Sequence, residues 1–95
     1  MREEQSLNEL LTRGAALLRS AGAREVYVFG SVTTGRVREG SDVDLAVSGL
    51  PPETFFVTLA RLGDLFERPV DLVDLDRASP FTNYLKAKGV LQRVA

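Results

Sequence analysis

Asp42 and Asp44 stand one residue apart in Ser41-Asp42-Val43-Asp44-Leu45, at the head of an apolar alternation. On an extended strand, side chains at i and i+2 share one face and lie roughly 6–7 Å apart along it. Two carboxylates so placed can hold a pair of magnesium ions, which in two-metal sites sit about 3.5–4 Å apart. Without cations the carboxylates repel, and one tends to keep its proton. Upstream, Gly30-Ser31 follows the apolar run Val26-Tyr27-Val28-Phe29. If Ser31 opens a helical turn, its unpaired backbone amides point outward and can bind an anion. Gly30 would let a phosphate approach the backbone, and the Ser31 hydroxyl adds a donor. Each half is common by itself: a lone Asp-x-Asp more often marks a solvated strand face or a capped turn. The combination is more specific, with a strand, Gly-Ser, ten residues, then Asp-x-Asp opening a second strand. A phosphate-binding turn ahead of a metal-binding pair points to nucleotide chemistry.

Such a site needs a third carboxylate. Asp71, Asp74 and Asp76 are the candidates, in Pro69-Val70-Asp71-Leu72-Val73-Asp74-Leu75-Asp76. Asp71 lies inside an apolar run, where an aspartate is costly unless something pairs with it. It is therefore the functional candidate. Asp74 and Asp76 have the opposite parity, sit towards or beyond the strand's end, and read as solvated turn residues, with Asp74 the second choice.

Composition narrows the chemistry further. The chain has no histidine and no cysteine, which excludes imidazole bases, thiol nucleophiles, disulfides and thiolate or imidazole metal sites. Any metal must be a hard cation on oxygen ligands. Net charge is −1, so no broad nucleic-acid or membrane surface is expected. The N-terminus is charged and no apolar run approaches membrane-spanning length, which predicts a cytoplasmic protein. Ninety-five residues give one domain, 1–95, with no room for a second substrate domain.

The elements that must position these residues follow from periodicity. Residues 6–22 predict a helix with Leu7, Leu10, Leu11, Leu17, Leu18 and Ala21 on one face, Ser6 and Glu9 as a capping box, and Gly22 at its end. Gly14 should weaken it somewhat. Glu25–Phe29 predicts a strand buried on both faces. Ser31 to Gly40 reads as a short helical turn and then a loop. Asp42–Val47 predicts a strand with Val43, Leu45 and Val47 on one face and Asp42, Asp44 and Ala46 on the other. Pro51-Pro52 fits the start of a helix that runs to about Glu67, with Phe55, Phe56, Leu59, Leu62 and Phe66 buried. Arg68-Pro69 ends it. Val70–Leu75 predicts a third strand. Ser79-Pro80 opens a short helix with Phe81, Tyr84 and Leu85 inward and Gly89 at its end, and residues 90–94 suggest a last short strand. The order α-β-β-α-β-α makes an α+β fold, a small mixed β-sheet with helices packed on it.

Gly30-Ser31, Gly35, Ser41-Asp42-Val43-Asp44-Leu45 and Val70-Asp71-Leu72-Val73 together resemble the minimal, single-domain nucleotidyltransferases related to DNA polymerase β. The likeness extends over nearly the whole predicted order of elements. It implies the polymerase β-like fold and transfer of a nucleoside monophosphate, AMP from ATP, with release of pyrophosphate. By that resemblance Asp42, Asp44 and Asp71 are the catalytic and metal residues for two Mg2+ ions, and Gly30 and Ser31 hold the triphosphate. Members often carry an arginine just before the second glycine. Here Thr34 takes that place, and Arg36 and Arg38 are the nearest arginines. Arg36 is the candidate for nucleotide binding, with an exposed basic loop as the alternative. The family's minimal members pair with small helical HEPN-domain toxins and act as antitoxins. The resemblance therefore implies such a partner, with one of its tyrosines as acceptor. Two other readings stand beside it: an inactive module that neutralises its partner by binding, and the catalytic half of a small-molecule transferase.

Overall fold

Residues 3–30 and 42–94 are described by the computed structural model. Their elements are α1 (Glu3–Ser20), β1 (Glu25–Phe29), β2 (Val43–Ser48), α2 (Pro52–Phe66), β3 (Val70–Asp74), α3 (Pro80–Lys88) and β4 (Gln92–Arg93). Among the described residues these make three helices and a four-stranded mixed sheet, as the expected α+β fold requires. The strand order is β3-β2-β1-β4. β1 runs antiparallel to β2 and to β4, while β2 and β3 are parallel. The parallel pair is joined through α2, as a parallel connection demands a crossover.

Strand parity divides the core in two. Val43, Leu45 and Val47 of β2 meet Val26 and Val28 of β1 under Ala15 and Leu18 of α1 and Leu62 and Phe66 of α2. On the other face Ala46 lies with Phe29, Leu75 and Leu85, so α3 covers that side. β2 is the central, most deeply buried strand, with Val43, Ala46 and Val47 fully covered. Gly14 has a packing reason: a Cβ there would lie 3.1 Å from the Phe66 ring, so the glycine lets α1 approach α2.

Local chemistry sets the boundaries. After α1, the Ala23 amide donates to the Leu18 carbonyl and the Gly22 amide to Arg19, a Schellman closure with Gly22 at φ 121°. Pro51 is the N-cap of α2 and Pro52 its first residue, and Glu67 closes the helix in the left-handed region. Ser79 caps α3 through a reciprocal capping box with Thr82, Pro80 follows it, and Gly89 is the C-cap. Asp76 accepts the Gly49 amide at 2.6 Å and Asp74 accepts the Asp76 amide, so both aspartates tie a turn together, as turn residues should.

Four expectations are corrected. α1 begins at Glu3, so Ser6 lies inside the helix and not at its cap; Glu and Gln are good helix formers, and Glu3-Glu4-Gln5 allows the earlier start. β1 is only half-buried at Glu25 and Tyr27, because short β4 leaves the end of one face open. Phe56, at 77 % exposure, is outside the buried stripe of α2. Phe81 and Tyr84 are about half exposed, and on α3 only Thr82 and Leu85 are buried. Helical spacing groups the aromatics correctly, but α3 lies across a narrow sheet that covers only part of that group.

Candidate active site

The parallel pairing of β2 with β3 sets Asp44 directly opposite Asp71 in register. Neighbouring strands lie about 4.8 Å apart, and residues in register share a face, so the two carboxylates stand side by side. Asp71 is on the edge strand and exposed, whereas Asp44 is partly buried on the central strand. On the other side of Asp44, β1 brings Phe29 into register with it. Gly30, the next residue, turns at φ 76°. A Cβ at Gly30 would collide with Oδ2 of Asp44, so only glycine fits against this carboxylate.

The Asp44 carboxyl is pushed above its ordinary value. Burial is the largest cause, followed by the charge of Asp71, a side-chain hydrogen bond shared with Asp71, and the charge of Asp42. The site thus carries more negative charge than its surroundings neutralise, the condition in which a bound cation is favoured.

Asp42 departs from expectation. β2 begins at Val43, so Asp42 immediately precedes the strand and is exposed there. Its charge acts on Asp44, yet among the described residues no group of three carboxylates is gathered closely enough to hold a metal ion. Asp44 and Asp71 are brought together, and Asp42 lies just ahead of the strand. The donors at hand are all carboxylate oxygens, which suit a hard cation such as magnesium. Ser31, Thr34, Gly35, Arg36, Arg38 and the predicted helical turn lie outside the described residues.

Two features escaped the sequence reading. One is the contact between Gly30 and Asp44, which gives the glycine a packing role of its own. The other is an aromatic wall: the Phe81 ring of α3 meets the Phe29 ring edge-on, centroids 6.1 Å apart. Nothing in the spacing of Phe81 separates a buried position from this half-exposed one.

Comparison with known proteins agrees with this fold. The family profile described as "Polymerase beta, Nucleotidyltransferase" matches residues 16–91. A comparison with curated proteins returns no match. Among solved structures, a protein assigned as a minimal nucleotidyltransferase is 25% identical, with TM-score 0.77 over 99% of this chain and 96% of its own. A chain of a toxin–antitoxin complex with AMP-PNP is 26% identical, with TM-score 0.71 over 86% of this chain and 70% of its own. A complex of a tri-AMPylated Shewanella oneidensis HEPN toxin with its MNT antitoxin gives 26% identity and TM-score 0.66, over 94% of this chain and 70% of its own. No helix among the described residues is long and apolar enough to cross a membrane.

Proposed function

This chain belongs to the polymerase β nucleotidyltransferase family, and from that premise we propose that it is a magnesium-dependent transferase moving AMP from ATP to a protein hydroxyl. The acceptor in this reading is a tyrosine of a helical HEPN-domain partner, which the transfer silences. The observation that carries the proposal is the Asp44–Asp71 pair, in register on adjacent strands with Gly30 against it. The relatives with bound AMP-PNP and with an AMPylated toxin support the choice of nucleotide and acceptor class. A reaction that consumes ATP is expected in the cytoplasm.

Asp44 and Asp71 would hold the magnesium, which when bound supplies neutralising charge at the phosphates, and Asp42, just ahead of the strand, would add its charge towards the same ion. Gly30 and Ser31 position the triphosphate, and Arg36 adds a cation beside it. The acceptor oxygen bonds to the α-phosphorus as the bond to the bridging oxygen breaks, and pyrophosphate leaves. The hydroxyl proton passes to the Asp71 carboxylate, the more exposed of the pair and the one an incoming acceptor reaches. No protein nucleophile is needed, in keeping with a chain that lacks cysteine and histidine.

Two preparations of ATP test the reaction, one labelled at the α-phosphate and one at the γ-phosphate. Label from the α-position should appear on the partner, and label from the γ-position only in pyrophosphate. Transfer of γ-label would mean a kinase and would overturn the proposal. A second reading is favoured by the position of Asp42 outside the strand: a module that neutralises its partner by covering it, with weak or no transfer.

A further inference from the structure

We infer that Phe81 is the wall on which the base of a bound nucleoside triphosphate stacks, an inference that rests on the function proposed above. α3 packs on the sheet face that carries Asp44 and Asp71, through Leu85 against Phe29 and Ala46. Phe29 is buried and is the cross-strand partner of Asp44 on that face. Phe81 leans edge-on against Phe29 with its planes at 63°, yet half of it remains open to solvent. The open ring therefore stands one aromatic residue beyond the carboxylates, on the side where α3 rises above the sheet. The first turn that carries it is held by Pro80 and by the reciprocal Ser79–Thr82 cap, so the ring is presented from a fixed element. A nucleotide whose phosphates lie at Gly30 and the carboxylates has one aromatic part left to place. An exposed aromatic ring on that face is the surface such a base prefers, because every base has a π-face. Phe56 is more exposed still, but α2 packs on the opposite face and cannot present it to this site.

Equilibrium binding of two probes in the presence of magnesium separates the base from the phosphates: ATP, and inorganic tripolyphosphate, which has no base. Phe81→Ala should weaken ATP roughly tenfold, the scale of one lost stacking contact, and leave tripolyphosphate unchanged. Phe81→Leu keeps apolar bulk against Phe29 and should show the same selective loss, so a folding defect cannot mimic the result. Phe81→Trp should retain ATP, and Phe56→Ala should behave as the parent. The fluorescence of 2-aminopurine riboside triphosphate should be quenched on binding to the parent and less so with Phe81→Leu. Equal weakening of both probes, or no weakening of ATP, overturns the inference while the proposed function stands. A parent protein that binds neither probe overturns the proposed function, and this inference with it.

Discussion

At the scale of single residues, Asp44 is the position where stability and the proposed function would oppose each other. Its folded-state pKa is raised above the ordinary 3.8, chiefly by burial and then by Asp71. The folded state therefore binds this proton more tightly than the unfolded chain does. That stabilisation is complete below the ordinary value and is lost as pH rises through the raised one. At neutral pH the ionised Asp44 thus costs stability that Asp44→Asn, equal in shape, would not. We expect Asp44→Asn to raise the thermal midpoint at pH 7.5 without divalent cations by a few degrees, about 0.5 kcal/mol for a carboxyl that keeps part of its solvent. The gap should close near pH 3.5, where both proteins carry a neutral group. A midpoint that falls at pH 7.5 would show that Asp44 is stabilised by its neighbours. The Asp-x-Asp spacing and the apolar run around Asp71 marked Asp44 and Asp71 as candidates from the chain alone, although Asp71 proves exposed on the edge strand and not buried in that run. That Asp44 and Asp71 are direct partners was not legible, because register between distant strands is a tertiary property. That Asp42 falls just ahead of the strand was not legible either, because alternation tells which residues would share a face and not where pairing begins.

Among the elements, α3 joins the fold to the site. Its local signals were readable in full, with Ser79 and Pro80 opening it and Gly89 closing it. Which side of it faces the sheet was not readable. Phe81, Tyr84 and Leu85 fall on one helical stripe, yet only Leu85 is buried. Phe56 in α2 shows the same limit, since a stripe records hydrophobicity and the neighbours decide what is covered. Removing the cap should loosen α3 while leaving the carboxylate pair in place, since that pair is set by β2 and β3. Ser79→Ala is expected to cost about 1 kcal/mol, lowering the midpoint of a domain this size by about 4–8 °C. Hydrogen exchange should quicken in residues 80–88 and stay slow in β2. Uniform quickening across β2 as well would show that α3 and the sheet unfold as one unit.

For the whole molecule, the sheet sets the Asp44–Asp71 pair beside Gly30, and in the proposed reading another protein supplies the acceptor. The α+β order and mixed sheet were legible because long apolar periodicities, Pro and Gly punctuate this chain clearly. Magnesium with ATP should raise the thermal midpoint, since it binds the folded site and not the unfolded chain. At a hundredfold excess over the dissociation constant the gain is about 2.7 kcal/mol. Asp71→Ala should reduce the gain, and an unmoved midpoint in the parent would argue against an active site of this kind. The double change Asp42→Asn/Asp44→Asn separates catalysis from covering. If it still neutralises the partner as fully as the parent does, transfer is dispensable and the binding reading is the better one.

Intact-mass spectrometry of a helical HEPN-domain protein of the proposed partner class, after incubation with this chain, ATP and magnesium, tests the central claim most directly. The expected result is a partner heavier by whole multiples of AMP, with no gain when Asp42→Asn/Asp44→Asn replaces the parent. A partner of unchanged mass, while the parent still binds ATP, would contradict transfer to that protein.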